Sequence, residues 1–404
     1  REQIVEPTAN YTVVRLKQDI FEKSSIGGML TVTSQDSYHP ATTGGVDWRL
    51  FTSDGGWLLR GHAIFSRVDN EKTGYGINAA IHKERGKHIR GALGITFKSP
   101  DLRINRLGYS SRVDSRHTWA WVQYRTSDDW WIVRNSFNNF NFYTSWNYDG
   151  VQYQLGGNYN GYIEFVNNWS LGGGVSVQGE KYCDLETRGN GLWEWPTRPT
   201  FSWWFNLHTD QRKKVSFSFN PGGGGDRGGH WSASYFGITY RPKGNMEFEI
   251  GANYKRNVDV TRWVDYDSFN DEDSSVFADL NRDEIFLHAS AGLVINRNLT
   301  FQLSAQGLAS GLDYENYRYY QGGNQYSGQL TGFDKDRNYT ALNSTAIVRW
   351  EYLPGSTLYV VWTRAMSDND SSLRDLDLNR DLKRMFSGGA NNVFLVKTSY
   401  WLNI

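Results

Sequence analysis

Apolar and polar side chains alternate strictly along much of the chain. Ile285, Leu287, Ala289, Ala291, Leu293 and Ile295 are interleaved with Phe286, His288, Ser290 and Gly292, and a period of two marks a strand rather than a helix. After Asn296-Arg297-Asn298, Leu299, Phe301, Leu303 and Ala305 take one face while Thr300, Gln302, Ser304 and Gln306 take the other. The two runs predict a hairpin with one apolar face and one hydrophilic face. The same dyad recurs where Val215, Phe217 and Phe219 flank Ser216 and Ser218, and where Ile89, Leu93, Ile95 and Phe97 oppose Arg90, Thr96 and Lys98. Further strands are expected over 11–21, 26–33, 46–52, 57–67, 75–82, 118–125, 130–143, 151–165, 171–182, 200–208, 231–240, 246–254, 339–350, 356–364 and 393–402, about nineteen in all.

Connections between these strands alternate in kind. Short ones at 22–25, 54–55, 84–87, 210–212, 242–245, 296–298 and 353–355 are built from the Gly, Asn, Asp and Pro that tight turns require. Longer polar ones are expected at 184–197, 220–229, 265–281, 311–337 and 367–391. A transmembrane barrel has this asymmetry, with short periplasmic turns and long extracellular loops. The expected fold is therefore all-β, a large antiparallel transmembrane β-barrel of about 19 or more strands occupying residues 1–404 as a single domain in a bacterial outer membrane.

Composition agrees. The chain carries 24 Tyr, 21 Phe and 17 Trp yet has a mean hydropathy of -0.61, as expected where lipid-facing apolar residues alternate with polar lumen residues and aromatic girdles flank them. No stretch approaches the roughly 18 apolar residues of a spanning helix. Zero formal net charge without a basic stretch argues against nucleic acid as a partner. Cys183 is the only cysteine, so no internal disulfide forms. The lipid bilayer and its lipopolysaccharide are the expected surroundings, and no cofactor is implied.

Phe394, Val396, Thr398, Tyr400, Leu402 and Ile404 share one face of a last strand that would descend to the periplasm. Such ends usually finish on Phe or Trp, and Ile404 departs from that pattern. The first readable strand also descends, so an even-numbered barrel would need a strand ahead of Arg1.

Two stretches carry a more specific likeness. Glu6-Pro7-Thr8-Ala9-Asn10-Tyr11-Thr12-Val13-Val14-Arg15-Leu16, running on to Ser24-Ser25-Ile26-Gly27-Gly28-Met29, is one; Asn392-Val393-Phe394-Leu395-Val396-Lys397-Thr398-Ser399-Tyr400-Trp401 is the other. Both resemble segments of an uncharacterised bacterial family, frequent in Bacteroidota, that joins an N-terminal carbohydrate-binding-like module to a C-terminal membrane barrel. The resemblance implies that this chain is the barrel part, that the module and the first strands precede Arg1, and that the protein works near surface glycans or outer-membrane protein partners. It supplies no catalytic residues.

Candidate chemistry is sparse. Asp265, Asp267, Asp271 and Asp273 concentrate carboxylates that suit a hard cation, but the loop departs from EF-hand spacing at Phe269; a solvated loop is the competing and better-supported reading, also for Asp368, Asp370, Asp375, Asp377 and Asp381. Trp193 and Trp195, in an expected outer loop, are candidates for stacking on sugar rings, against girdle anchoring as the alternative. Gly222–Gly225 lacks the Lys-Ser/Thr pair of a phosphate cradle and is expected to be a flexible loop tip. A short helix over 372–385 is expected to plug the lumen, cap the barrel or pack on its own loop. Of eight histidines only His82 and His88 are placed to approach each other, and no G-x-S-x-G elbow is present. The leading expectation is a pore for a polar solute or chain, lined by Thr300, Gln302, Ser304 and Gln306. A non-conducting platform for a glycan-binding or partner-binding module is the alternative, and a hydrolase embedded in the wall is a third.

Overall fold

Each alternating segment pairs with the next one along the chain. In the computed structural model, which describes residues 8–36, 38–69, 71–106, 108–179, 182–183, 185–188, 193–194, 200–269, 272–322 and 325–402, the first half of the sheet is β1 (Ala9–Ile20), β2 (Ser24–Gln35), β3 (Tyr38–Phe51), β4 (Trp57–Val68), β5 (Gly74–Lys83), β6 (Ile89–Lys98), β7 (Ser115–Thr126), β8 (Val133–Trp146), β9 (Gln152–Phe165) and β10 (Ser170–Gln178). A two-residue ribbon, β11 (Tyr182–Cys183) with β12 (Trp193–Glu194), separates it from β13 (Thr200–His208), β14 (Val215–Asp226), β15 (Gly229–Tyr240), β16 (Met246–Phe269), β17 (Glu272–Asn296) and β18 (Leu299–Gly322). The short β19 (Gln325–Tyr326), β20 (Arg337–Leu353), β21 (Ser356–Asp370), helix α1 (Leu378–Ser387) and β22 (Ala390–Ser399) complete the order.

The result is a 20-stranded antiparallel sheet; without the two-residue β19, nineteen strands make a barrel wall, as the alternation predicts. Among the described residues no ladder joins β1 to β22.

Register turns local alternation into two continuous faces. Val14 lies opposite Leu30, Leu30 opposite Gly44, Gly44 opposite Phe65 and Phe65 opposite Tyr75. At the other end Phe301 meets Val348, Val348 meets Val360 and Val360 meets Val396. Exposure across the wall is the reverse of a soluble protein's: Val215 and Phe217 are each 43% exposed while Ser216 between them is 1%, and Leu30 and Val32 are exposed while Thr31 and Thr33 are buried. The apolar face is thus the outer one and the polar face the inner one.

At one rim the connections are short, none exceeding 127–132 and 209–214 in length, whereas the other rim carries 99–114, 179–199, 323–336 and 371–389. Three expected outer loops differ. Most of 220–229 and 265–281, and the 311–322 part of 311–337, continues as strand, because the hairpin ladders run on past the apolar belt: Gly224 pairs with Trp231, and Asp265 with Val276. Away from the belt a strand needs no apolar alternation, so its polar sequence reads as loop. Gly222–Gly225 lies within β14 instead of forming a tip; a Cβ on Gly224 would stand 2.5 Å from that of Ser202, so glycine there admits β13 at close range.

β16, β17 and β18 have 24, 25 and 24 residues, against the ~9–11 that cross a bilayer. Their outer halves form a tower with its own core, Val276, Ala278, Tyr317 and Tyr319 on one side and Phe277 with Tyr320 on the other.

Candidate functional site on the inner face

The inner face is lined by amides, ion pairs and flat rings. Asn139 accepts from Trp121 Nε1 and from Gln123 Nε2, each at 2.9 Å, and donates to Asn160 at 2.9 Å. Asn141 donates to Asn158 at 2.8 Å, and Asn160 to Asn158 at 3.0 Å. The ladder spans β7, β8 and β9 because Asn139 faces Gln123 and Asn160, and Asn141 faces Asn158. Amides that satisfy one another present donors and acceptors to the interior without net charge.

Large rings are kept against the wall by glycine on the neighbouring strand. A Cβ on Gly94 would fall 2.4 Å from the Trp119 ring, and one on Gly174 2.9 Å from Trp204 Nε1. Laying an aromatic over a strand glycine covers exposed backbone, and here it also stops those indoles from crossing the lumen.

A charged group stands on β15–β17. His288 Nε2 and Glu249 Oε1 are 3.0 Å apart, and the Tyr235 ring stacks on His288 at 5.9 Å between centroids with 10° between planes. Further round, Arg15 and Asp47 form a two-point ion pair, its second contact at 3.0 Å.

The sequence-predicted lumen residues fall on this face. Thr300 lies opposite Arg349, Gln302 opposite Ile347, Ser304 opposite Thr345 and Gln306 opposite Asn343 on β20; on β17 Gln306 faces His288. Gln302, Ser304 and Gln306 are exposed to the interior. The asparagine ladder was missed, although Asn139, Asn141, Asn158 and Asn160 stand at the same spacing of two. The His288–Glu249 contact is not readable locally, because only register joins residues so far apart in sequence.

The loop candidates lie away from this face. Trp193 pairs with Cys183 in the two-residue ribbon, and Trp195 lies outside the described residues. Asp265 pairs with Lys335 Nζ at 2.6 Å, and Asp267 accepts from Tyr319 Oη at 2.6 Å. Asp271 is outside the described residues, and Asp273 lies opposite Ser268 near the tower tip. Among the described residues no three histidine, cysteine or carboxylate groups gather in metal-holding geometry. His82 meets Trp119 edge-on at 6.2 Å, and His88 stacks on Tyr124 at 5.8 Å. Asp381 is not solvated as expected: it is fully buried, because Arg380 and Asn338 enclose it.

By fold and lining the protein is a large antiparallel β-barrel with an apolar outside and a polar inside on which amides and charged groups stand together. The chain belongs to the family described as Domain of unknown function (DUF5916), which matches residues 1–404. No curated protein matches it. Among solved structures it is similar to in-vitro folded OmpT, an outer membrane protein of Vibrio cholerae, at 11% identity over 97% of each chain with a TM-score of 0.31. A loop L8 deletion mutant of OmpT gives 12% identity over 98% of this chain and 100% of that one, with a TM-score of 0.30. A likeness this low fixes neither ligand nor activity. Among the described residues no helix is long and apolar enough to cross a membrane, which leaves crossing by strands open.

Proposed function

We propose that this barrel sits in a bacterial outer membrane and passes a polar solute or chain through its interior. The observation that carries this reading is the inverted exposure of the wall: Ser216 is 1% exposed between Val215 and Phe217 at 43% each. Leaving such a belt in water would be costly, at roughly 25 cal/mol per Å² of apolar surface, and hydrocarbon removes that cost. The interior then offers the asparagine ladder, Gln302, Ser304 and Gln306 to a hydrated cargo. No catalytic role is assigned to these groups.

Planar-bilayer recording on the purified protein tests the proposal. Stepwise conductance is expected, and its absence even after removal of 99–114, 179–199 and 371–389 would overturn it. A second reading, a platform that holds a binding module or partner at the surface, is favoured by one observation, the tower with its own buried core. That reading predicts a silent barrel and proteins that co-purify through the tower.

A further inference from the structure

Helix α1 and the segment before it lie on the outer face of the wall, not in the lumen. Gly307 and Gly311 share the outer face of β18 with Leu303 and Ala305, and the connection 371–389 presses on both. A Cβ on Gly311 would stand 2.5 Å from the carbonyl carbon of Asp375, and one on Gly307 would stand 2.6 Å from Met385 Sδ.

The helix has two unlike sides. Its polar side is pinned beyond the apolar belt, where Asp381 accepts from Arg380 Nε at 2.8 Å and from Asn338 Nδ2 at 2.9 Å. Arg384 closes the cluster, donating to Asn338 Oδ1 at 2.6 Å and to Asp368 Oδ2 at 2.9 Å. Asn338 sits opposite Gly311 and Asp370, near the outer ends of β18 and β21. The apolar side hangs down over the belt. Leu378, Leu382 and Phe386 repeat at one helical face and are 49%, 37% and 66% exposed, while Met385 is buried against the wall.

Between that side and the wall is a cavity of about 360 Å³, bounded by Leu382, Met385 and Phe386 from the helix and by Ile250, Ala252 and Leu287 from the sheet. Its lining offers water almost no hydrogen-bond partner, and it is continuous with the belt assigned above to the lipid. A helix with a charged face fixed above the hydrocarbon and an apolar stripe directed into it has the form of an interfacial anchor. Lys383, exposed beside Leu382, adds a cation next to the apolar stripe. We propose that α1 clamps one acyl chain of an outer-leaflet lipopolysaccharide between itself and the wall, with Lys383 beside its phosphate. This rests on the membrane reading of the wall, and the tests below separate the two.

Purified protein is reconstituted in phosphatidylcholine vesicles doped with lipopolysaccharide, re-extracted in detergent, and its retained lipid weighed by native mass spectrometry. The unaltered chain and Ala79→Phe, on the outer face away from α1, should keep one lipopolysaccharide, whereas Ala252→Phe, which fills the cavity, should lose it by roughly tenfold or more, about 1.4 kcal/mol. Equal retention in Ala252→Phe, or phosphatidylcholine held instead, overturns the proposal. Because Ala252→Phe is able to disturb folding, spin labels at Phe386→Cys, Val360→Cys and Gln302→Cys, each with Cys183→Ser, give an independent readout. Position 386 should share the oxygen accessibility of 360 and differ from the water-exposed 302. A water-like 386 beside a lipid-like 360 overturns the clamp alone, and a water-like 360 overturns the membrane reading with it.

Discussion

The lower wall and the tower are built from the same ladders, yet they bury opposite kinds of residue. In the wall Phe217 is 43% exposed and Ser216 is 1%; in the tower Phe277, Val276 and Val260 are all at 0%. Residues of β16 and β17 belong to both regions, and between them the register slips at Asn257/Val260 and again at Trp263/Asp265, with Asp259 at a φ of 54°. Bulges bend a strand and re-aim its side chains, which lets one hairpin leave a two-faced wall and enter a protein-lined core. Strand pairing therefore does not decide what is inside; the medium against each face does. The tower supplies its own apolar surroundings, while on the membrane reading proposed above the wall takes them from hydrocarbon.

The largest effect expected from that contrast is in the tower. Phe277→Ala removes a fully buried ring from between Tyr320 and Tyr326 and should cost about 3–5 kcal/mol. Amide exchange should accelerate across 260–281 and 313–322 while the wall below stays protected; equal loss in both would show that tower and wall are one cooperative unit. Next in size is Leu303→Arg on the outer belt, at the fifth residue of β18 and so near the middle of the ~9–11 residues that cross a bilayer, expected to cost about 2–4 kcal/mol. Gln306→Arg on the inner face should stay within roughly 0.5 kcal/mol. Reversible unfolding from bilayers measures both, and a similar cost for the two would undo the assignment of faces.

The same contrast explains what the sequence disclosed. Phe217 with Ser216, and Phe301 with Gln302, announce themselves because each wall strand has one apolar and one polar face and so alternates. The tower does not alternate: Val276-Phe277-Ala278 are consecutive apolar residues covered on both sides, set among Asp265, Asp267 and Asp279, so composition there imitates a solvated loop. Helix α1 was expected a few residues early, over 372–385 instead of 378–387. Its seat on the outer face was hidden, because Gly307 and Gly311 become a landing site only once β18 is aligned with its neighbours. His288 and Glu249 were each visible as polar residues, and only the β16–β17 register makes them partners.

A smaller effect is expected where the tower holds a charge pair. Arg318 donates to both oxygens of Asp279 at 2.8 and 2.9 Å, and Thr261 and Asn316 donate to the same carboxylate. Asp279→Asn leaves that guanidinium short of an anion and should cost about 1–3 kcal/mol, read as faster exchange in 313–322. The exposed pair Lys87–Asp128 at the short-turn rim, 2.6 Å apart, is screened by solvent and should by comparison contribute much less. If the two deletions cost the same, burial in the tower is not what strengthens its ion pair.

The smallest effect is at the opposite rim and is a matter of pH. In the turn 209–214, Arg212 donates from Nε to Asp210 Oδ1 at 2.9 Å and from Nη2 to Oδ2 at 3.0 Å, and its backbone N–H adds a third bond at 3.0 Å. Those bonds, the guanidinium's first, outweigh burial and lower the carboxyl from the ordinary 3.8 to about 2. The folded value lies below the unfolded one, so the contribution is complete above the ordinary carboxylate range and disappears as pH falls through about 2. Carboxyl-carbon NMR on labelled protein should find Asp210 titrating well below the other rim carboxylates. Amide exchange in 209–214 should quicken only under that acidification, and Asp210→Asn should remove the pH dependence. An Asp210 that titrates near 3.8 would mean that Arg212, at 70% exposure, spends its time in solvent, and that this rim is held by its backbone ladder alone.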